Sequence, residues 1–289
     1  MTMVRIPPPA LPVRDRRAAR ALSPMLTRLA EERATGVLVR EHGVLYLAEG
    51  RVVHAESPLA PDLGVLLTAH GTLAATAWQR AAAQTPGPAQ TPDPAQAPDP
   101  AQAADPAQAA EALLRSGVLP TGALELCHLD ALYDAGYFAL APSGTPGRFR
   151  YGAGPRLGPL PSVPVVALER ETLRRRLLLH RLWPDPAADS APLIRADPAP
   201  GPAAALSVTP RQRAVLDRVD GVRTAADLAR DLGRQAFHTL VDVRRLTAAG
   251  WIAPVPADPA PPPAPPPRPV TTDPDIALLK RLRDALEAL

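Results

Sequence analysis

The sequence contains one cysteine, Cys127, and its aromatic residues amount to only 3% of 289 positions. A single cysteine excludes an intramolecular disulfide and any site built from several thiolates, a composition suited to a reducing cytoplasm. Scarce aromatics mean that every core must be built from Leu, Val and Ala. Lysine is almost missing, Lys280 being the only one. The basic residues are therefore arginines, and with the excess of Ala and Pro this reads as a high-GC coding bias rather than a sign of phosphate binding. No apolar run approaches the ~20 residues that cross a bilayer. Ile6-Pro7-Pro8-Pro9 stands where a signal peptide would carry its apolar segment. The expectation is a cytoplasmic protein with no membrane partner.

Proline and glycine are abundant, 39 and 18 residues, about a fifth of the chain. Their distribution divides it. Residues 1–22 read as a flexible basic arm. In 23–183 the strongest β signal is three short apolar runs, Gly36–Arg40, Val44–Ala48 and Arg51–Ala55, separated by His42-Gly43 and Glu49-Gly50 turns. Helices are expected around 23–32, 63–69, 73–83, 110–116 and 166–183. The segment 124–140 carries Leu126, Leu129, Leu132, Tyr133, Phe138 and Leu140, and Arg148–Tyr151 reads as a strand. Within this region Gln84, Gln90, Gln96, Gln102 and Gln108 recur every six residues in a Pro/Gln/Ala repeat. Such a tract buries too little to offset its ordering entropy, so 84–109 is predicted to be a disordered insertion. Residues 184–206 and 255–272 read as Pro-rich linkers.

Residues 207–254 read as three helices and a closing strand, the layout of a winged-helix module. Thr209-Pro210 supplies a capping hydroxyl and a proline at the first helical position. Thr224 with Asp227 approximates a capping box, and Gly233 ends the second helix. The third helix, Gln235–Ala249, is followed by Trp251-Ile252, taken as the first strand of a wing. In such a unit the third helix can enter a DNA major groove. Its outward positions are expected to be Arg234, Gln235, His238, Thr239, Asp242, Arg244 and Arg245, of which Arg and Gln can read guanine and adenine. DNA contact is assigned to Arg234, Gln235, His238, Thr239, Arg244 and Arg245. Eight arginines face five aspartates between 207 and 253, a thin surplus for contacting many phosphates. A second basic helix carries Arg170, Arg174, Arg175, Arg176 and Arg181. Finally, 273–289 is an amphipathic helix with Ile276, Leu279, Leu282, Leu286 and Leu289 on one face. Too short to be stable alone, it must dock within this chain or on a partner, and the Pro-rich tether before it favours a protein partner or a second copy.

Thr35-Gly36-Val37-Leu38, Leu45-Tyr46-Leu47 and Glu49–Ala55 together resemble the meander of the PatA-like N-terminal domain family of bacterial signalling proteins. Gly147–Tyr151 looks like that family's late strand, and Leu168–Arg176 like its closing basic helix. The resemblance implies a non-enzymatic regulatory domain, joined here to a winged helix as in high-GC bacterial proteins catalogued as transcriptional regulators. It supplies no catalytic residues.

Other chemistry is thin. Histidines 42, 54, 70, 128, 180 and 238 show no metal-ligand spacing. His54 lies on a strand and reads as structural, and Cys127-His128 are neighbours whose side chains should diverge. No triad or carboxylate pair stands out, so neither a cofactor, a metal nor a small-molecule substrate is expected. The fold expected is α+β: an antiparallel meander with packed helices, then a separate, mainly α winged-helix module, with disordered Pro-rich linkers. The leading functional expectation is a transcriptional regulator that binds DNA. The alternative is a scaffold or adaptor using the winged helix and terminal helix for protein contacts.

Overall fold

The computed structural model describes residues 22–69, 73–83, 112–152, 160–197, 208–256, 279, 281 and 283–286. The basic arm before Leu22, the insertion 84–109 and nearly all of the linker 255–272 lie outside them, as do Ile276, Leu282 and Leu289. Residues up to Val255 form one compact unit, and Pro256–Leu289 another.

The first unit is mixed helix and sheet. Helix α1 (Pro24–Glu31) starts where the Ser23 side chain accepts the Leu26 amide. Three strands follow, β1 (Gly36–Arg40), β2 (Gly43–Ala48) and β3 (Arg51–Glu56), the predicted meander. Helices α2 (Leu63–Thr68), α3 (Ala75–Ala83) and α4 (Thr121–Ala139) precede β4 (Arg148–Tyr151). The dipeptide strand β5 (Val163–Pro164) runs directly into α5 (Val165–Leu182). All five strands are antiparallel, in the order β4-β1-β2-β3-β5. Two strands from late in the sequence thus flank the central meander. Leu38, Leu45, Leu47 and Val52 bury the inner face together with Leu132 of α4 and Leu168 of α5. With so few aromatics, leucine supplies nearly every fully buried large side chain.

The β2–β3 turn shows why Glu49-Gly50 is a turn. Both residues are left-handed, φ 50° and 75°, the backbone a two-residue hairpin of this hand needs. The Glu49 amide donates to Thr35 Oγ1 and the Gly50 amide to the Ala34 carbonyl. A Cβ on Gly50 would lie 2.5 Å from the Ala30 carbonyl oxygen, because α1 ends against this turn.

Beyond α5 the expected linker contains structure. A helical turn, α6 (Ala187–Ser190), leads to β6 (Leu193–Arg195). Three helices follow, α7 (Pro210–Leu216), α8 (Ala225–Leu232) and α9 (Ala236–Ala248), and then β7 (Ile252–Pro254). Both anticipated caps form: Thr209 and Gln212 make one capping box, Thr224 and Asp227 another, and Gly233 (φ 59°) ends α8. Two expectations are corrected. β7 does not open a wing hairpin among the described residues; it pairs antiparallel with β6, placed before the three helices. Nor is the trihelical region separate. Ala229 and Ala236 lie in the core of the sheet domain, while Leu179 of α5 lies in the trihelical core with Tyr137 and Phe138 packed on it. Small residues on α8 and α9 permit that close approach, which composition alone does not announce.

Gly50→Ala and Gly117→Ala separate backbone strain from collision. Gly117 is also left-handed (φ 67°), yet a Cβ there meets nothing within 4 Å. Urea unfolding should show a loss of about 1 kcal/mol for Gly117→Ala and at least about 2 kcal/mol for Gly50→Ala.

Candidate functional site

The predicted reading helix, α9, begins inside the protein. An α-helix leaves its first amides without intrahelical partners and carries partial positive charge at that end. Here both demands are met by Asp134 of α4, whose fully buried carboxylate accepts from the Ala236 amide at 2.5 Å and the Phe237 amide at 2.9 Å. Gln235 holds the N-cap position but makes no side-chain cap bond. Arg175 of α5 completes the joint. Its guanidinium lies 3.5 Å from Asp134, donates to the Tyr133 carbonyl at 3.1 Å, pairs with Glu171 at 3.0 Å, and stacks 4.6 Å from the Phe237 ring centre. Three helices are thereby joined through one acid and one base. Arg175, one of the arginines of the second basic helix, is buried.

Further along α9, Arg244 is 4% exposed. It grips Asp189 of α6 with two parallel bonds, Nε to Oδ1 at 2.6 Å and Nη2 to Oδ2 at 2.5 Å, and Nη1 donates to the Trp183 carbonyl. Bidentate pairing of this kind fixes both partners. Its outward placement is therefore corrected, and so are those of Thr239 and Asp242, which are also buried. Thr239 donates back to the Gln235 carbonyl, and Asp242 faces Arg211 at 3.6 Å. Of the assigned residues, His238 and Arg245 are exposed, and Arg234 and Gln235 half-buried.

Four of these neighbours do meet. Arg211, Arg234, Gln235 and His238 line an open groove of about 360 Å³ with Cys127 and Asp130. Its positive side is partly compensated, since Arg211 is engaged with Asp242 and Arg234 donates to the Arg211 carbonyl. Elsewhere on the trihelical surface Arg223 pairs with Asp220 and Asp231, and Arg230 with Asp227. Burial raises the Cys127 thiol above its usual range, with the Asp130 charge adding to it, so no reactive thiolate forms there.

His54 and His128 pack with their ring centres 6.0 Å apart, beneath Tyr46. Burial, reinforced by His54, depresses His128 to about 4, so it is a neutral core group. Cys127 and His128 diverge, one lining the groove and the other sealed in the core. Among the described residues no cluster of three or more His, Cys, Asp or Glu is placed to hold a metal ion, and no helix is long and apolar enough to cross a membrane.

The residues that organise this region, Asp134 and Asp189, were not singled out from sequence. Asp134 did leave a signal: a charged residue within the apolar run Leu129–Leu140 needs a partner if that face is buried. Asp189 left none, lying in a segment that composition assigns to a linker. No protein-family model, curated protein or solved structure matches the chain.

Burial pushes Asp134 up to about 6, against the two amide donors and Arg175, which pull it down. The folded protein therefore holds a proton there between the ordinary aspartate value of 3.8 and about 6. This group's contribution to stability is full below 3.8 and is lost as pH rises through about 6. His128 acts oppositely: its contribution is full above 6.5 and is lost as pH falls toward about 4. In Asp134→Asn the His128 effect persists, so the difference between wild type and variant isolates Asp134; wild type should gain stability relative to the variant as unfolding is measured from pH 7 down to pH 5. Asp134→Ala, which leaves the two buried amides without an acceptor and takes from Arg175 one of its two acidic neighbours, should cost about 3 kcal/mol or more at pH 7.

Proposed function

We propose that this protein is a non-enzymatic signalling adaptor whose trihelical unit is part of the regulatory body and whose C-terminal segment, 273–289, docks on a protein partner. The observation that carries this reading is the closed N-terminus of α9. A helix-turn-helix reader places the N-terminal residues of its recognition helix against base edges. In α9 that end is capped by Asp134, and Ala236 and Phe237 are buried behind it. Arg244 is engaged by Asp189, which removes one of the two arginines best suited to read guanine.

A cytoplasmic adaptor of this kind also fits the PatA-like resemblance of the meander, since that family belongs to signalling proteins. In the C-terminal unit, Leu279 and Leu286 are exposed leucines of the proposed docking face. A Pro-rich tether before it suits a segment that searches for a partner.

The transcriptional reading rests on the groove of Arg211, Arg234, Gln235 and His238, with Arg245 exposed on the same helix. It would place phosphate contact there with the trihelical unit still docked. Polarisation of labelled genomic fragments at about 50 mM salt, where phosphate contacts are strongest, separates the two. The adaptor reading expects no saturable binding, and partner capture that depends on residues 270–289. Saturable binding abolished by Arg211→Ala with Arg245→Ala would overturn it in favour of a DNA-binding regulator.

A further inference from the structure

A cavity of about 560 Å³ lies where the sheet domain meets the trihelical region, within the size range of sites for small organic ligands. Leu59, Phe138, Leu179 and Leu240 give it an apolar lining. Its charged lining is unbalanced. Arg244 and Asp189 neutralise one another in their two-bond pair, which leaves the Arg176 guanidinium. Arg176 donates once, at 2.5 Å, to the Leu140 carbonyl at the end of α4, and among the described residues no carboxylate lies within 4 Å of it. A guanidinium has five N–H groups, so most of its donors are uncommitted. Arg40, a second cation, donates to the adjacent Ala141 carbonyl at 3.3 Å and is close enough to repel Arg176. Tyr137 also lines the cavity, and its hydroxyl has no hydrogen-bond partner among the described residues.

Capping the end of α4 accounts for one bond from each arginine. It does not account for a half-buried guanidinium without a carboxylate partner beside a largely apolar cavity whose one acid, Asp189, is already held by Arg244. We propose that this cavity binds a small amphipathic carboxylic acid, its apolar body against Phe138, Leu179 and Leu240 and its carboxylate on Arg176 and the Tyr137 hydroxyl. One uncompensated charge in the lining matches a monoanion better than a phosphate dianion, and the guanidinium fork matches a carboxylate in plane. The lining comes from α4, α5, α6, α8 and α9, so a bound acid touches both sides of the joint and stabilises it as a unit.

The test uses the full chain and the anionic fluorophore 1-anilinonaphthalene-8-sulfonate as probe, with octanoate and octanol as competitors. The expected result is saturable, one-to-one probe binding displaced by octanoate at concentrations at which octanol has no effect. Octanoate should also raise the unfolding temperature. In Arg176→Met, which keeps the apolar stem, octanoate should bind about tenfold or more weakly. Equal competition by octanol and octanoate, absence of saturable binding, or unchanged octanoate affinity in Arg176→Met would overturn the proposal. If that variant does not fold, the comparison of octanoate with octanol on the wild-type chain still decides. The outcome is independent of DNA or partner binding, which leaves Arg176 untouched.

Discussion

One carboxylate determines how the two halves of the main unit are joined. The amides that open α9 must find acceptors, because the helix starts in a region without water to supply them. Asp134 provides both, from a helix 102 residues earlier in sequence. A buried carboxylate is itself costly unless paired and hydrogen-bonded, and Arg175 with the helix end makes it tolerable. Each group in this joint is acceptable only because the others are present. The α4–α5 pair and α9 are thus constrained as a set, and Phe237 is fixed beneath the guanidinium as a consequence.

That constraint bears directly on what α9 can do. Its sequence places Arg and Gln at spacings that suit groove reading, yet reading depends on which side of the helix is free. Asp134 takes its first turn, and Asp189 takes Arg244 about two turns later. Of the residues assigned to base reading, only His238 and Arg245 are exposed, and His238 lines a groove that also contains Asp130. Electrostatic attraction for a polyanion requires a surplus of positive charge on one face. Arg211, Arg223 and Arg230 each have an acidic neighbour within 4 Å, so the local surplus is smaller than the composition suggests.

Features governed by local physics were legible in sequence. The meander followed from alternating apolar runs and glycine turns; both threonine caps followed from hydroxyls before apolar helical periodicity; the boundaries of β4 were read to the residue. What escaped were interactions between distant segments. β6 is three residues in a Pro/Ala stretch and becomes a strand only because β7 pairs with it. The inward turn of Arg244 depends on Asp189, 55 residues away, and no periodicity within α9 encodes that. Leu126, named with the apolar residues of 124–140, is 66% exposed on α4, because an apolar run identifies a segment without fixing which of its side chains face inward.

The arginine content itself finds a structural explanation. Helix C-termini leave carbonyls without partners, and in this protein guanidinium groups satisfy several of them. Arg40 and Arg176 serve the end of α4, Arg244 the residue that closes α5, and Arg195 the last carbonyl of α7. A planar fork can donate to a carbonyl and a carboxylate at once, and its stem adds apolar surface, which a compact, strongly hydrated ammonium does less well. In a chain with 3% aromatics, that combination joins elements which larger rings would otherwise pack together. Several of these groups hold one element to another, so a count of arginines says little about nucleic acid, and Arg176, with uncommitted donors beside a largely apolar cavity, carries more functional information than the total.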